Sequence, residues 1–179
     1  MTDSLTGPVR AFDDAVEQWL EPRRSPALDR LFYGLSSAAD HGFLWFALGG
    51  LRTARTGEPR AARRLGVALG IESALTNGVV KTVFGRIRPP HDQPDGPLPY
   101  GMHRPITSSF PSGHAATAFT AAVLLSDRTR LGPLYFALAS LVAASRVYVR
   151  MHHASDVIAG AALGLVFGRV LRRALPLRV

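Results

Sequence analysis

Apolar and polar positions follow one another in blocks that predict helices along most of the chain. Residues 8–21 place apolar side chains at helical spacing among acidic ones, which predicts an amphipathic helix too short to cross a bilayer. We expect this helix to lie on the membrane interface, with Trp19 at headgroup depth. Because Pro22 and Pro26 break the pattern that follows, residues 1–30 are expected to form an N-terminal interfacial segment.

Longer apolar blocks follow, and each is predicted to cross a membrane once. The blocks cover about 31–51, 65–84, 113–129, 131–147 and 154–171. Asp40, His41 and Gly42 interrupt the first block. Asp40 and His41 are expected to form either a buried polar pair or a break in the helix. The predicted fold is therefore all-α: a polytopic membrane helical bundle of about five transmembrane helices within residues 31–179, preceded by the amphipathic helix.

The charge pattern favours a membrane protein over a nucleic-acid-binding one. Among 179 residues, 21 are basic and 13 acidic, the net charge is +8, and Lys81 is the only lysine. Arginines collect in short segments between the apolar blocks, as the positive-inside rule describes. Segment 52–64, with five arginines, is thus predicted to be a cytoplasmic loop. The proline-rich segment 85–111 and the turn 148–153 are placed on the opposite side. No nucleic-acid partner is expected, and a homo-oligomer is left open.

Polar residues at three predicted helix ends lie on the membrane face opposite the predicted cytoplasmic loop. Lys81, Arg88 and Arg146 would form a cationic pocket that is costly unless an anion occupies it, and we expect a phosphate there. Ser112 and Gly113 open a helix whose free backbone N–H groups would point the same way. The chain has no cysteine, which excludes a thiolate metal site and a cysteine nucleophile.

Two histidines supply the predicted chemistry. His152 and Asp156 are four residues apart at the start of the last helix, so the carboxylate is expected to accept the Nδ1–H of the ring. Nε2 of His152 is then an unprotonated nucleophile. His114 would protonate the leaving oxygen and later deprotonate the attacking water. The sequence therefore predicts a phosphotransfer site without a metal or another cofactor.

The spacing of these residues resembles the complete three-part signature of the type 2 phosphatidic acid phosphatase (PAP2) family. Its parts are Lys81-x6-Arg88-Pro89, Pro111-Ser112-Gly113-His114 and Ser145-Arg146-x5-His152-x3-Asp156. The resemblance implies a metal-independent integral-membrane lipid phosphatase in which His152 becomes a phosphohistidine, Asp156 orients it and His114 exchanges protons. It also implies a set of phosphate-binding residues, namely Lys81, Arg88, Ser112, Gly113 and Arg146. Many family members have six transmembrane helices, and the reduced N-terminal segment departs from that pattern.

The substrate stays open among polyprenyl phosphate or pyrophosphate, polyprenyl-phosphosugar phosphate, phosphatidic acid and phosphatidylglycerol phosphate. We expect a multi-pass protein of the plasma (inner) membrane, with the site on the extracytoplasmic side and a membrane lipid phosphate as its partner. Two alternatives keep the fold: a vanadate-dependent haloperoxidase-like oxidase, and a non-catalytic lipid-binding or lipid-transport protein. The roles of some polar residues are left open, namely Glu72, His41, His91, His103 and His153.

Overall fold

The computed structural model describes residues 6–90, 99–103 and 105–177, and the regular elements within these ranges are all helical, as predicted. The helices are α1 (Thr6–Leu20), α2 (Pro26–Ala38), α3 (Phe43–Thr56), α4 (Pro59–Leu75), α5 (Lys81–Val83), α6 (Gly113–Leu125), α7 (Gly132–Tyr148) and α8 (Ala154–Ala174). A π-helical segment, Thr76–Val80, joins α4 to α5. Short 3-10 turns occupy Glu21–Arg23, Asp40–Gly42 and Pro99–Gly101.

Helix α6 stands at the centre of the bundle and packs most closely against α8. Gly160, Gly164 and Gly168 lie on one face of α8 because they are spaced by four residues. A Cβ atom on Gly164 would lie 2.3 Å from the carbonyl oxygen of Ala116, so only glycine allows this approach. Thr120 Oγ1 also donates to the carbonyl oxygen of Gly164 at 3.1 Å. The two backbones thus meet as they do in small-residue contacts between membrane helices.

Two arginines close the C-terminal end of α6. Arg52 donates to the carbonyl oxygens of Leu125 and Asp127, both at 2.8 Å. Arg64 donates to the carbonyl oxygen of Leu124 at 2.9 Å and to Asp127 Oδ2 at 2.7 Å. The last carbonyls of a helix lack partners within it and carry the negative end of its dipole. The arginines therefore fasten α3 and α4 to α6 at this end.

The predicted single span over 31–51 is wrong, because the chain breaks there into α2 and α3. His41 has a φ of 53° and Gly42 a φ of 78°, and both values are left-handed. Glycine reaches this conformation without steric cost, and a helix cannot continue through two such residues. The polar interruption in the sequence is thus a sharp turn.

Helix α2 lies across the end of the bundle at which α7 finishes. Near its start, Arg24 donates to the carbonyl oxygen of Tyr148 at 2.6 Å, and the Tyr148 hydroxyl donates to Asp29 at 2.7 Å. Near its end, Ser36 accepts a hydrogen bond from Arg146. Both ends of α2 contact the last turn of α7, so α2 stays at one end of the bundle. Helix α3 leads from there to the other end, where Arg52 contacts the end of α6. Helices α3, α4, α6, α7 and α8 therefore connect the two ends.

The predicted loop over 52–64 is also wrong in extent. Helix α3 continues to Thr56 and α4 begins at Pro59, so Gly57 and Glu58 alone separate them. Gly57, with a φ of 70°, ends α3 in the left-handed conformation that commonly terminates helices. Proline suits the first position of the next helix, where no N–H bond is lost. Most of the arginines in this segment therefore lie on helix ends.

Length and hydropathy identify one helix in the described ranges that could cross a bilayer on these criteria alone. It is α8, with 21 residues and a mean hydropathy of 1.6 in its most apolar window. Helix α6 is apolar but has 13 residues. The number of about five transmembrane helices stays a prediction.

Candidate active site

Predicted site residues surround a cavity of about 810 Å³ at the end of the bundle where α6 and α8 begin. Those in its lining are Lys81, Arg88, Gly113, His114, Arg146 and His152. The other two, Ser112 and Asp156, are fully buried outside this lining. The structure therefore brings all the predicted residues to one place, from four separate stretches of chain.

A π-helical segment precedes Lys81. In Thr76–Val80 the helix widens, and the N–H of Lys81 donates to the carbonyl of Thr76, five residues earlier. A π segment adds one residue to a turn and so changes the direction of the residues that follow, and it is frequent at functional sites. Here it brings Lys81 into the lining of the cavity.

Backbone carbonyls hold Arg88 in place. Its Nη1 donates to the carbonyl oxygen of Met151 at 2.6 Å, and its Nε and Nη2 donate to those of Pro105 at 3.1 Å and Thr107 at 3.2 Å. Nη1 also lies 3.4 Å from Nε2 of His152. Burial lowers the pKa of Arg88 from its ordinary value, but guanidinium groups stay charged in proteins. A fixed cation therefore stands beside the imidazole.

His152 is 3% exposed and lies in the turn between α7 and α8. Its Nδ1 is 2.7 Å from the carbonyl oxygen of Ser109, which can only accept, so Nδ1 carries the proton. Burial, together with the charges of Arg146 and Arg88, lowers the pKa of His152 to about 3 despite the nearby Asp156 carboxylate. At neutral pH the ring is uncharged, and Nε2 is unprotonated with its lone pair beside Nη1 of Arg88.

The predicted hydrogen bond between Asp156 and His152 is not formed. Nδ1 of His152 and Oδ2 of Asp156 are 3.8 Å apart. Instead, Oδ1 of Asp156 accepts from Arg86 at 2.6 Å, and Oδ2 accepts from the backbone N–H of His153 at 2.9 Å. The Ser109 carbonyl thus fixes the tautomer of His152, because it lies nearer to Nδ1, and Asp156 acts on the ring through its charge.

His114 is paired with Asp40, a residue outside the three motifs. Its Nε2 donates to Oδ1 of Asp40 at 2.7 Å. Burial alone would raise the pKa of Asp40. The hydrogen bond and charge of His114, together with the charge of Arg146, outweigh burial, so the pKa of Asp40 is lower than its ordinary value. An ionised carboxylate therefore holds the second histidine. The position of Asp40 within an apolar block was the available sequence signal.

Ser112 and Gly113 form the start of α6. The Ser112 hydroxyl accepts from the N–H of Ala115 at 3.4 Å, and its own N–H donates to the carbonyl of Asp156 at 3.0 Å. The hydroxyl thus caps the helix. A Cβ on Gly113 would lie 3.0 Å from Oδ1 of Asn77, so glycine keeps this part of the lining open.

The remaining polar residues have varied surroundings. Glu72 is fully buried and accepts from the hydroxyls of Thr76 at 2.8 Å and Thr117 at 2.7 Å, which joins α4 to α6. His41 and His103 are exposed residues of the cavity lining, His153 caps α8, and His91 lies outside the described residues.

The charges of the lining suit an anion. Lys81, Arg88 and Arg146 supply cationic groups, and the start of α6 adds the positive end of its dipole. Within the described residues, imidazoles and carboxylates do not gather in groups of three or more that could hold a metal ion. A neutral imidazole with one unprotonated nitrogen and a second, carboxylate-paired imidazole face this anion site. Such a set can transfer a phosphoryl group.

The chain is similar in sequence to known proteins. A family model described as the PAP2 superfamily matches residues 61–179. Decaprenylphosphoryl-5-phosphoribose phosphatase of Mycobacterium tuberculosis strain H37Rv is 33% identical over 141 residues, which cover 77% of this chain and 75% of that protein. Lipid A 1-phosphatase of Porphyromonas gingivalis is 38% identical over 111 residues, or 58% of this chain. The match covers only 22% of that longer relative.

Two solved structures share the fold. The transmembrane PAP2-type phosphatidylglycerolphosphate phosphatase from Bacillus subtilis superposes with a TM-score of 0.74 at 24% identity, over 94% of this chain and 87% of that one. Aquifex aeolicus LpxE superposes with a TM-score of 0.71 at 27% identity, over 89% of this chain and 93% of that one. With the family match over 61–179, these similarities show that the chain belongs to the PAP2 superfamily.

Proposed function

We propose that this chain is an integral-membrane lipid phosphatase that removes a terminal phosphate through a phosphohistidine on His152. One observation carries the proposal: Nδ1 of His152 donates to the Ser109 carbonyl, which leaves Nε2 unprotonated beside Arg88 in the cavity. A neutral imidazole can attack phosphorus only through an unprotonated nitrogen. The adjacent cations lower the cost of bringing a phosphate dianion to that nitrogen.

In the first step, Nε2 of His152 forms a bond to phosphorus, and the bond from phosphorus to the leaving oxygen breaks. His114 gives its proton to that oxygen. For this step the ring must carry a second proton, which the negative charges of Asp40 and of the bound phosphate stabilise against burial and the nearby Arg146. Lys81, Arg88, Arg146 and the first N–H groups of α6 stabilise the charge on the other phosphate oxygens.

In the second step, water attacks the phosphorus of the phosphohistidine. His114, now neutral, takes a proton from the water, and the bond between phosphorus and Nε2 of His152 breaks. Inorganic phosphate leaves, and both histidines return to their starting protonation states. Side chains supply all the proton transfers and charge stabilisation in this scheme, so we propose no metal and no cofactor.

The proposed membrane orientation rests on charge. Segment 52–64, with its five arginines, lies at the end of the bundle opposite the cavity, where Arg52 and Arg64 close α6. By the positive-inside rule this end is cytoplasmic, which puts the cavity on the extracytoplasmic side. We propose that α3, α4, α6, α7 and α8 cross the bilayer. The interfacial segment expected over 1–30 then extends through α2.

We propose a phosphate monoester on a polyprenyl-linked sugar as the first substrate to test. The decaprenylphosphoryl-5-phosphoribose phosphatase matches this chain over three-quarters of both proteins, at 77% and 75%. A cavity of about 810 Å³ leaves room for a headgroup beside the phosphate. Lipid A 1-phosphate, phosphatidylglycerol phosphate, phosphatidic acid and polyprenyl pyrophosphate complete the panel.

Phosphate release by the detergent-purified protein tests the proposal. Wild type, His152→Ala and the neighbouring control His153→Asn are compared on every lipid of the panel. We expect release by wild type and the control, since asparagine can still cap α8, and none by His152→Ala. Substantial release by His152→Ala, or none by wild type from any lipid, would overturn the proposal.

A further inference from the structure

A buried carboxylate ties the N-terminal helix to the rest of the molecule. Asp13 on α1 is 4% exposed, while its neighbour Asp14 is exposed. Three large apolar side chains of the same helix point outward: Val9 is 45%, Phe12 44% and Trp19 57% exposed. Burying a carboxylate is costly unless it is paired. Helix α1 is therefore attached to the bundle by polar contacts of the buried Asp13 side chain.

One partner of Asp13 also binds Asp156 of the candidate site. Its Oδ1 accepts from the N–H of Ser155 at 2.8 Å, and its Oδ2 accepts from the Ser155 hydroxyl at 2.7 Å and from Arg86 Nη2 at 2.6 Å. Nη1 of the same arginine donates to Oδ1 of Asp156 at 2.6 Å and to the Ser155 hydroxyl at 2.7 Å. One guanidinium thus joins two buried carboxylates.

This network fixes the start of α8. Asp13 satisfies the free N–H of Ser155 in the first turn, as a cap does, but from another helix. Arg86 balances the two carboxylates through a planar fork, and a lysine could not reach both with the same geometry. Asp156 is held between Arg86 and the N–H of His153, directly after His152.

We infer that Asp13 and Arg86 are positioning residues for the phosphatase reaction, so that α1 completes the active site. Neither side chain lines the cavity; both act through Asp156 and the turn that carries His152. The inference rests on the proposed function. It assigns to the N-terminal helix, which contains none of the motif residues, a part in catalysis.

Steady-state phosphate release from the best lipid of the panel tests this role. We expect Asp13→Asn to lower kcat by about tenfold or more, because a misplaced nucleophile loses much of its rate. KM should stay within about twofold, since the cations that bind phosphate are unchanged. Arg86→Lys should show the same pattern despite keeping its charge. The matched control Asp14→Asn should behave as wild type.

A double-mutant cycle separates positioning from general damage. If Asp13 acts through Asp156, then Asp13→Asn should add nothing to the loss caused by Asp156→Asn. Effects that multiply in the double variant would overturn the inference, as would Asp13→Asn with the kcat of Asp14→Asn. Thermal unfolding in detergent checks the fold, and Arg86→Lys with Asp156→Asn carries the same cycle if Asp13→Asn does not fold.

Hydrogen exchange distinguishes failure of this inference from failure of the proposed function. In Asp13→Ala the N–H of Ser155 loses its acceptor, so amides at 153–157 should exchange faster in that variant than in the matched control Asp14→Ala. Equal exchange would overturn the link between α1 and α8. Absence of phosphate release by wild type would contradict the proposed phosphatase activity. The exchange measurement would still test the link between α1 and α8, because it does not depend on activity.

Discussion

Oδ1 of Asp40 lies 2.7 Å from Nε2 of His114, although the two residues are 74 positions apart in the chain. The contact exists because the left-handed residues His41 and Gly42, shortly after α2, turn the chain at the edge of the cavity. A carboxylate in this position orients an imidazole and favours its cationic form. The turn between α2 and α3 is thus part of the candidate site.

We expect Asp40→Asn to lower kcat by about tenfold to a hundredfold, with little change in KM. The amide keeps the size of the side chain but removes the charge that supports the acid form of His114. Steady-state phosphate release measures the effect, with Ser37→Ala in the preceding turn as control. Wild-type kcat in Asp40→Asn would show that His114 needs no such partner.

Gly164→Ala should destabilise the protein by more than about 2 kcal/mol, because overpacking a tight helix contact forces the backbones apart. The new Cβ would lie 2.3 Å from the carbonyl oxygen of Ala116. Gly34→Ala in α2 is the control, since a Cβ there meets nothing within 4 Å. Alanine is favoured over glycine in a helix, so the control should unfold at the same temperature or slightly higher. Equal unfolding temperatures for the two variants would contradict the close approach of α6 and α8.

The neutral His152 predicts a pH dependence of stability. Its pKa falls from 6.5 to about 3 in the folded protein, so between these values the unfolded chain binds a proton that the folded chain does not. Stability from this group is complete above pH 6.5 and is lost as the pH falls, by about 2 kcal/mol at pH 5. Thermal unfolding at pH 7 and pH 5 should therefore differ less for His152→Gln than for wild type or the exposed control His103→Gln. An equal difference in all three would contradict a buried neutral ring.

Chelation tests the source of positive charge in the site. Because Lys81, Arg88 and Arg146 surround the proposed phosphate position, EDTA should leave phosphate release within about twofold of the untreated value. The assay is the lipid panel described above, with EDTA at a large excess over protein. Loss of release that only a divalent ion restores would contradict the scheme.

The sequence predicted which residues assemble the site, because helix ends and alternating topology bring separated motifs to one face. It did not predict the Ser109 carbonyl that fixes His152, since every residue has a carbonyl and only the fold selects one. The link from Asp13 to Arg86 was equally invisible, because it joins residues 73 positions apart. The spacing of Gly160, Gly164 and Gly168, in contrast, was a readable indication of close helix packing.

The errors in element boundaries have physical causes. The arginines of segment 52–64 predict a loop, but long side chains such as Arg52 and Arg64 extend from helices and cap the end of α6. The block 31–51 has the length of a span, yet two left-handed residues divide it. Composition described the segments correctly as polar or apolar, whereas the turns depended on tertiary contacts.

Detection of the covalent intermediate tests the central claim most directly. Wild type is mixed with its best lipid phosphate, quenched at alkaline pH during turnover, and digested for mass spectrometry, with His152→Ala treated in parallel. The account predicts one added phosphate on His152 in the wild type and none in the variant. Turnover without phosphate on His152, or with phosphate on His114 instead, would contradict it.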